Sequence, residues 1–126
     1  IESRVLGDLA LNHIIPVAIS YQSILITNVA KLKEISDDYK TLGAEQLRLI
    51  EKISAHVNSI NAMVHQMIDA RKIANAIESE RLKALSYHDN VFPFFDQIRY
   101  HVDKLELIVD NEMWPLPKYR ELLFIH

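Results

Sequence analysis

Between Ile50 and Met67 the apolar residues Ile50, Ile53, Val57, Ile60, Val64 and Met67 recur in alternating steps of three and four. That spacing keeps one narrow stripe of an α-helix apolar, and such a stripe is buried by packing lengthwise on another helix. A strand would alternate every second residue instead. The seam therefore commits the chain to helix-on-helix packing. Its 126 residues hold only two Gly and four Pro, too few turn formers for a chain of many short strands.

The same periodicity extends in both directions. Residues from about 2 to 35 read as a first helix, with Leu6, Leu9, Ala10, Ile14, Val17, Tyr21, Ile24, Leu25, Val29, Leu32 and Ile35 as its apolar positions. Pro16 lies inside it and predicts either a kink, with Asn12 losing its backbone partner, or a break with a new helix starting at the proline. Ser36 to Gly43 is polar, ends in glycine and reads as the first connection. The second helix is expected from about Ala44 to Leu85, roughly 60 Å at ~1.5 Å per residue. Past Met67 the seam positions are Arg71, Ala74 and Glu78, so the stripe is expected to move to Ile73, Ile77 and Ala84. Ser86 to Asn90 reads as the second connection, with Asp89 or Asn90 as an N-cap. A third helix, about 90 to 112, places Pro93 in its first turn and carries Phe95, Ile98, Val102, Leu105 and Val109. Trp114-Pro115 stops it, and Pro117 can start a last helical turn or two.

The expected fold is all-α: an antiparallel up-down-up bundle of three long helices over residues 1–112, plus a short C-terminal helical tail over 113–126. The third helix is about half the length of the second, so part of the second helix's seam needs another cover. The chain opens at Ile1 without an initiator Met, which reads as a trimmed N-terminus or a piece of a longer chain. No secretory signal pattern opens it. Its richest apolar run, Ile14 to Ile26, is interrupted by Pro16, Ser20, Gln22 and Ser23, and no apolar run is expected to span a bilayer.

Several chemistries lack their residues. Gly7 and Gly43 stand alone, so no glycine-rich phosphate loop is present. There is no Cys, hence no thiol nucleophile, disulfide or Cys-built zinc site. His13, His56, His65, His88, His101 and His126 include no pair four apart, and none has a Glu three residues before it. The helical zinc and di-iron patterns are thereby absent. His65 reads as a surface residue and His101 as a hydrogen-bonded one. Asp37-Asp38 reads as a solvated loop. Glu78, Glu80, Arg81 and Lys83 read as a wet helix face, as does Arg99 between Asp96 and Asp103. A net charge of −3 and a pI near 6.1 give no general attraction to nucleic acid or anionic membranes. We expect no nucleic-acid or membrane partner, and no catalytic, cofactor-binding or metal residue.

The tail is the exception. Trp114, Leu116, Tyr119, Arg120, Leu123 and Phe124 form a dense aromatic and aliphatic set with a cation at hand, the composition that interface centres favour. These six are the candidate docking residues. They either fold back on the chain's own bundle or dock on another domain or subunit.

Three segments carry a family resemblance over essentially the whole chain. Asp8-Leu9-Ala10-Leu11-Asn12-His13-Ile14-Ile15-Pro16-Val17-Ala18, followed by Tyr21-Gln22, resembles the start of the helical C-terminal region of type III glutamine synthetases. Phe95-Asp96-Gln97-Ile98-Arg99-Tyr100-His101-Val102-Asp103-Lys104-Leu105-Glu106 resembles its last long helix. Trp114-Pro115-Leu116-Pro117-Lys118-Tyr119-Arg120-Glu121-Leu122-Leu123-Phe124 is the most specific element. The resemblance implies a cytoplasmic parent that joins ammonia to glutamate with ATP and magnesium or manganese, in a large homo-oligomer. It implies that this part is non-catalytic, supports the catalytic core and subunit assembly, and has the parent catalytic domain and neighbouring subunits as partners. The alternative is a stand-alone helical adaptor or self-association module.

Overall fold

The computed structural model describes residues 2–109, with side-chain placement from Arg4 onward. These residues are all-helical, without a strand. The elements are α1 (Glu2–Leu9), a π-helical turn (Ala10–Ile14), α2 (Ile15–Ile35), α3 (Tyr39–Leu42), α4 (Ala44–Asn75), α5 (Glu80–Ser86), a second π-helical turn (Tyr87–Val91) and α6 (Pro93–Ile108).

The chain remains helical through Pro16, so no break occurs there. The adjustment precedes the proline. In the π turn the Ile15 N–H reaches back to the Ala10 carbonyl, one residue further than in an α-turn. The widened turn leaves room for the ring and absorbs the missing donor. Asp8 supports it from the side, accepting from Asn12 Nδ2 at 2.6 Å and lying 3.9 Å from His13 Nε2. α1, the π turn and α2 thus form one long helical segment. Its stretch Arg4–Ile35 has the length and composition to cross a bilayer. This corrects the expectation that no run is long enough, because Pro16 does not divide the helix. Here the segment instead lies on α4, where Gln22 Nε2 donates to the Ile50 carbonyl at 2.9 Å and to Ser54 Oγ at 2.7 Å.

The first connection holds a turn the sequence did not announce. Ser36 turns extended, its Oγ accepts from the Asp38 N–H at 3.0 Å, and α3 follows as a single turn. Lys33 Nζ sits 5.7 Å from the centre of the Tyr39 ring, tying α3 to α2. Buried Gly43 then starts α4.

The second connection lies elsewhere than expected. α4 stops at Asn75, some ten residues short of Leu85. The turn is 76–79, and the Ser79 side chain caps α5 by accepting from the Leu82 N–H at 3.3 Å. Ser79 supplies the cap expected of Asp89 or Asn90, since residues 87–91 are helical. They form the second π turn, with the Phe92 N–H on the Tyr87 carbonyl at 2.9 Å, just ahead of Pro93. The Tyr87 hydroxyl donates to Asn75 Oδ1 across the hairpin. α6 ends at Ile108, where Val109 turns extended, short of the expected end near 112.

The core lies along α4. Ile53, Ile60, Val64, Met67 and Ala74 are buried between Ala10, Ile14, Ala18 and Leu25 of the first segment and Val91, Ile98, Val102 and Leu105 of the last. Burying one such aliphatic side chain contributes about 1.5–3 kcal/mol. The seam does not move to Ile73, Ile77 and Ala84: Ile73 is 67% exposed while Ala74 is fully buried. The buried stripe therefore continues with a small residue, Ala74, at that end of α4.

Candidate functional site

The six tail residues Trp114, Leu116, Tyr119, Arg120, Leu123 and Phe124 lie outside the described residues. So does Met113. Within residues 2–109 the features with chemical or binding potential are a cross-helix histidine pair, a shallow cleft and an uncovered apolar stripe.

The histidine pair is His56 of α4 and His101 of α6. Their Nδ1 atoms are 2.8 Å apart and their ring centres 5.1 Å. At that distance one Nδ1 carries the proton and the other accepts it. The rings flank the buried residues Ile53, Ile60, Ile98, Val102 and Leu105 and are themselves half-buried. Burial pushes both imidazoles below the ordinary 6.5, and for His56 the positive charges of His101, Lys104 and Lys52 push the same way. Lys104 Nζ lies 5.3 Å from the centre of the Tyr100 ring, and Tyr100 meets His101 edge-on. The sequence indicated a hydrogen-bonded His101 but not its partner, because no local spacing links residues 45 apart. Two nitrogens beside two lysines make a poor cation site, and no cluster of three metal-ligand side chains exists among the described residues.

The cleft, about 230 Å³, opens between α1 and α4 and is lined by Arg4, Gly7, Asp8, Leu11, Ile68 and Arg71. Arg71 occupies the seam position where the apolar pattern lapses. The Asp8 carboxylate beside the two guanidiniums offsets their pull on an anion. Elsewhere His65, Asp37, Asp38, Glu80 and Arg81 are exposed as read, whereas Glu78, also exposed, lies in the 76–79 turn and not on a helix face, and Lys83 is half-buried. Among the described residues Arg99 makes no ion pair with Asp96 or Asp103.

The apolar stripe is on α2. Ile19 and Ile26 are 46% and 49% exposed. They stand seven residues apart, hence on one face, rotated about 100° from the buried pair Ala18 and Leu25. Along Arg4–Ile35 the buried residues are Gly7, Ala10, Ile14, Ala18 and Leu25 alone. A helix this apolar and this uncovered has more surface to bury than α4 alone provides.

No family model matches the chain. Two curated proteins do. A glutamine synthetase of Bacteroides fragilis (strain YCH46) is 50% identical over 126 residues, which is 98% of this chain and 17% of that protein. A type-3 glutamine synthetase of Dictyostelium discoideum is 26% identical over 128 residues, 99% of this chain and 17% of that protein. The resemblance to type III glutamine synthetases read from the three segments is therefore borne out over the whole chain. The chain spans 17% of the length of either relative.

Proposed function

We propose that this chain is the non-catalytic C-terminal helical domain of a type III glutamine synthetase, a cytoplasmic ATP-dependent ligase of ammonia and glutamate, and that it supports the catalytic core and the assembly of subunits. The observation that carries the reading is 50% identity over 98% of this chain set against 17% of the relative. A segment so well matched, and so small a share of the enzyme, is a part whose partner surfaces lie in the remainder. The uncovered stripe at Ile19 and Ile26 supports this, since it offers apolar surface for such a partner. ATP and magnesium or manganese would be bound by that remainder. The up-down-up arrangement of the three long helical segments belongs to this reading. It is supported by pairs that run in opposite order along the two segments: Gly7 with Val64 and Met67, Gln22 with Ser54, and Leu32 with Gly43. His101 against His56 and Tyr87 against Asn75 do the same for the second pair.

The test starts with the coding sequence upstream of Ile1. A long open frame with carboxylate- and glycine-rich strand segments is expected, and a start codon immediately before Ile1 would sink the reading in favour of a stand-alone helical module. In the full-length enzyme, deleting Trp114 to His126 is expected to weaken oligomer assembly or glutamine formation while the helical content of the remaining domain persists. Unchanged assembly and unchanged activity would assign the tail to packing alone. The 126-residue chain by itself is expected to show no γ-glutamyl transfer or glutamine formation.

A further inference from the structure

A close polar contact between α4 and α6 is made by two groups that can both become cations. A neutral pair of imidazoles 2.8 Å apart is satisfied by one Nδ1–H···Nδ1 bond. A single added proton can be accommodated elsewhere on one ring or held in the shared bond. A second puts a donor on both Nδ1 atoms, removes the acceptor, and sets two like charges against each other across a half-buried interface. The charged groups facing His56 are Lys52 on its own helix and Lys104 on α6, both positive. α2, the other long element packed on α4, adds no charge to its field; its contribution there is the neutral Gln22 bonded to Ser54. Among the described residues no carboxylate contributes to the field at either ring.

We propose that His56 and His101 form an acid-opened latch between α4 and α6, closed by one Nδ1–H···Nδ1 bond and opened when both rings carry a proton. α6 is the last described element, so the latch controls how firmly the C-terminal end of the described chain is held to α4. The direction follows from proton linkage. Both histidines have folded values below 6.5, the ordinary value. The unfolded chain then binds more protons in the window between the folded values and 6.5. The latch is therefore at full strength above that window and is lost as the pH falls through it.

The test is native-state hydrogen exchange on the 126-residue chain at about pH 7.5 and about pH 5.5, with protection corrected for intrinsic rates. Across that interval the protection of α6 amides from Ile98 to Leu105 is expected to fall severalfold. In the His56→Gln/His101→Gln variant, which cannot titrate at these two positions, it is expected to fall less than about twofold. Equal falls in both proteins would overturn the latch. If the double variant does not fold, the imidazole C–H signals of the wild type decide. Coupled titrations below 6.5, with the His56 value raised in His101→Gln, uphold it; two independent curves at the ordinary value overturn it.

Discussion

A methyl group at Gly7 would meet Val64 Cγ1 at 3.5 Å and Met67 Cε at 3.8 Å, ordinary contacts inside the core. At Gly43 it would meet the Tyr39 carbonyl oxygen at 3.1 Å and Leu32 Cδ1 at 3.2 Å, closer than a carbon tolerates without movement. Neither glycine has a positive φ, so space and not backbone conformation separates them. Gly7→Ala lies within a helix and should raise stability by about 0.5–1 kcal/mol, because the unfolded chain loses freedom and no contact is strained. Gly43→Ala should lower it by about 1 kcal/mol or more, as overpacked sites do. Urea titrations of the two variants beside the wild type check both signs. Both glycines were visible in the sequence; which of them a side chain approaches was not, since Val64 and Leu32 are brought to them only by packing.

The two proline sites show one device used twice. Ala10 stands six residues before Pro16 and Tyr87 six before Pro93, and each opens a π turn that ends just short of the proline. In both, the N–H of the residue before the proline reaches back five residues, to Ala10 or Tyr87. The widened turn keeps the helix going where a simple reading expects a kink, a break or a connection. The true interruption at 76–79 contains neither Gly nor Pro, which is why turn chemistry did not point to it. The usable signal was Ser79 followed by Glu80, an N-cap with an acid in the first turn. Ser79→Ala should cost about 1 kcal/mol. Exchange of the α5 amides should quicken more than that of mid-α4, which hydrogen-exchange mass spectrometry would read.

At the scale of the whole molecule, α4 is covered by the first helical segment on one side and by α6 on the other, while the first segment keeps an apolar stripe of its own. Ile19→Lys/Ile26→Lys should leave the unfolding free energy of the isolated chain within about 1 kcal/mol, since both side chains are half exposed and pack little core. If the chain is the proposed domain of a glutamine synthetase, the same double change in the full-length protein should weaken assembly, as a charge at an apolar interface does. Calorimetry of the chain and light scattering of the enzyme separate the two effects. Unchanged assembly would remove this stripe from the docking surface.

The helical class, the seam from Ile53 to Met67 and the buried face Ile98, Val102 and Leu105 were legible in the residues, because a helix repeats every 3.6 residues and its apolar stripe is written locally. The family was legible in three short segments for a different reason, the specificity of their wording. Tertiary structure alone decided the rest. It placed the hairpin at 76–79, carried the seam on to Ala74, left Ile73 in solvent and set His56 against His101. Each of these depends on which face of one helix meets another. Residues 45 apart in the chain become neighbours only through the packing of α4 on α6, and no periodicity within either helix encodes that meeting.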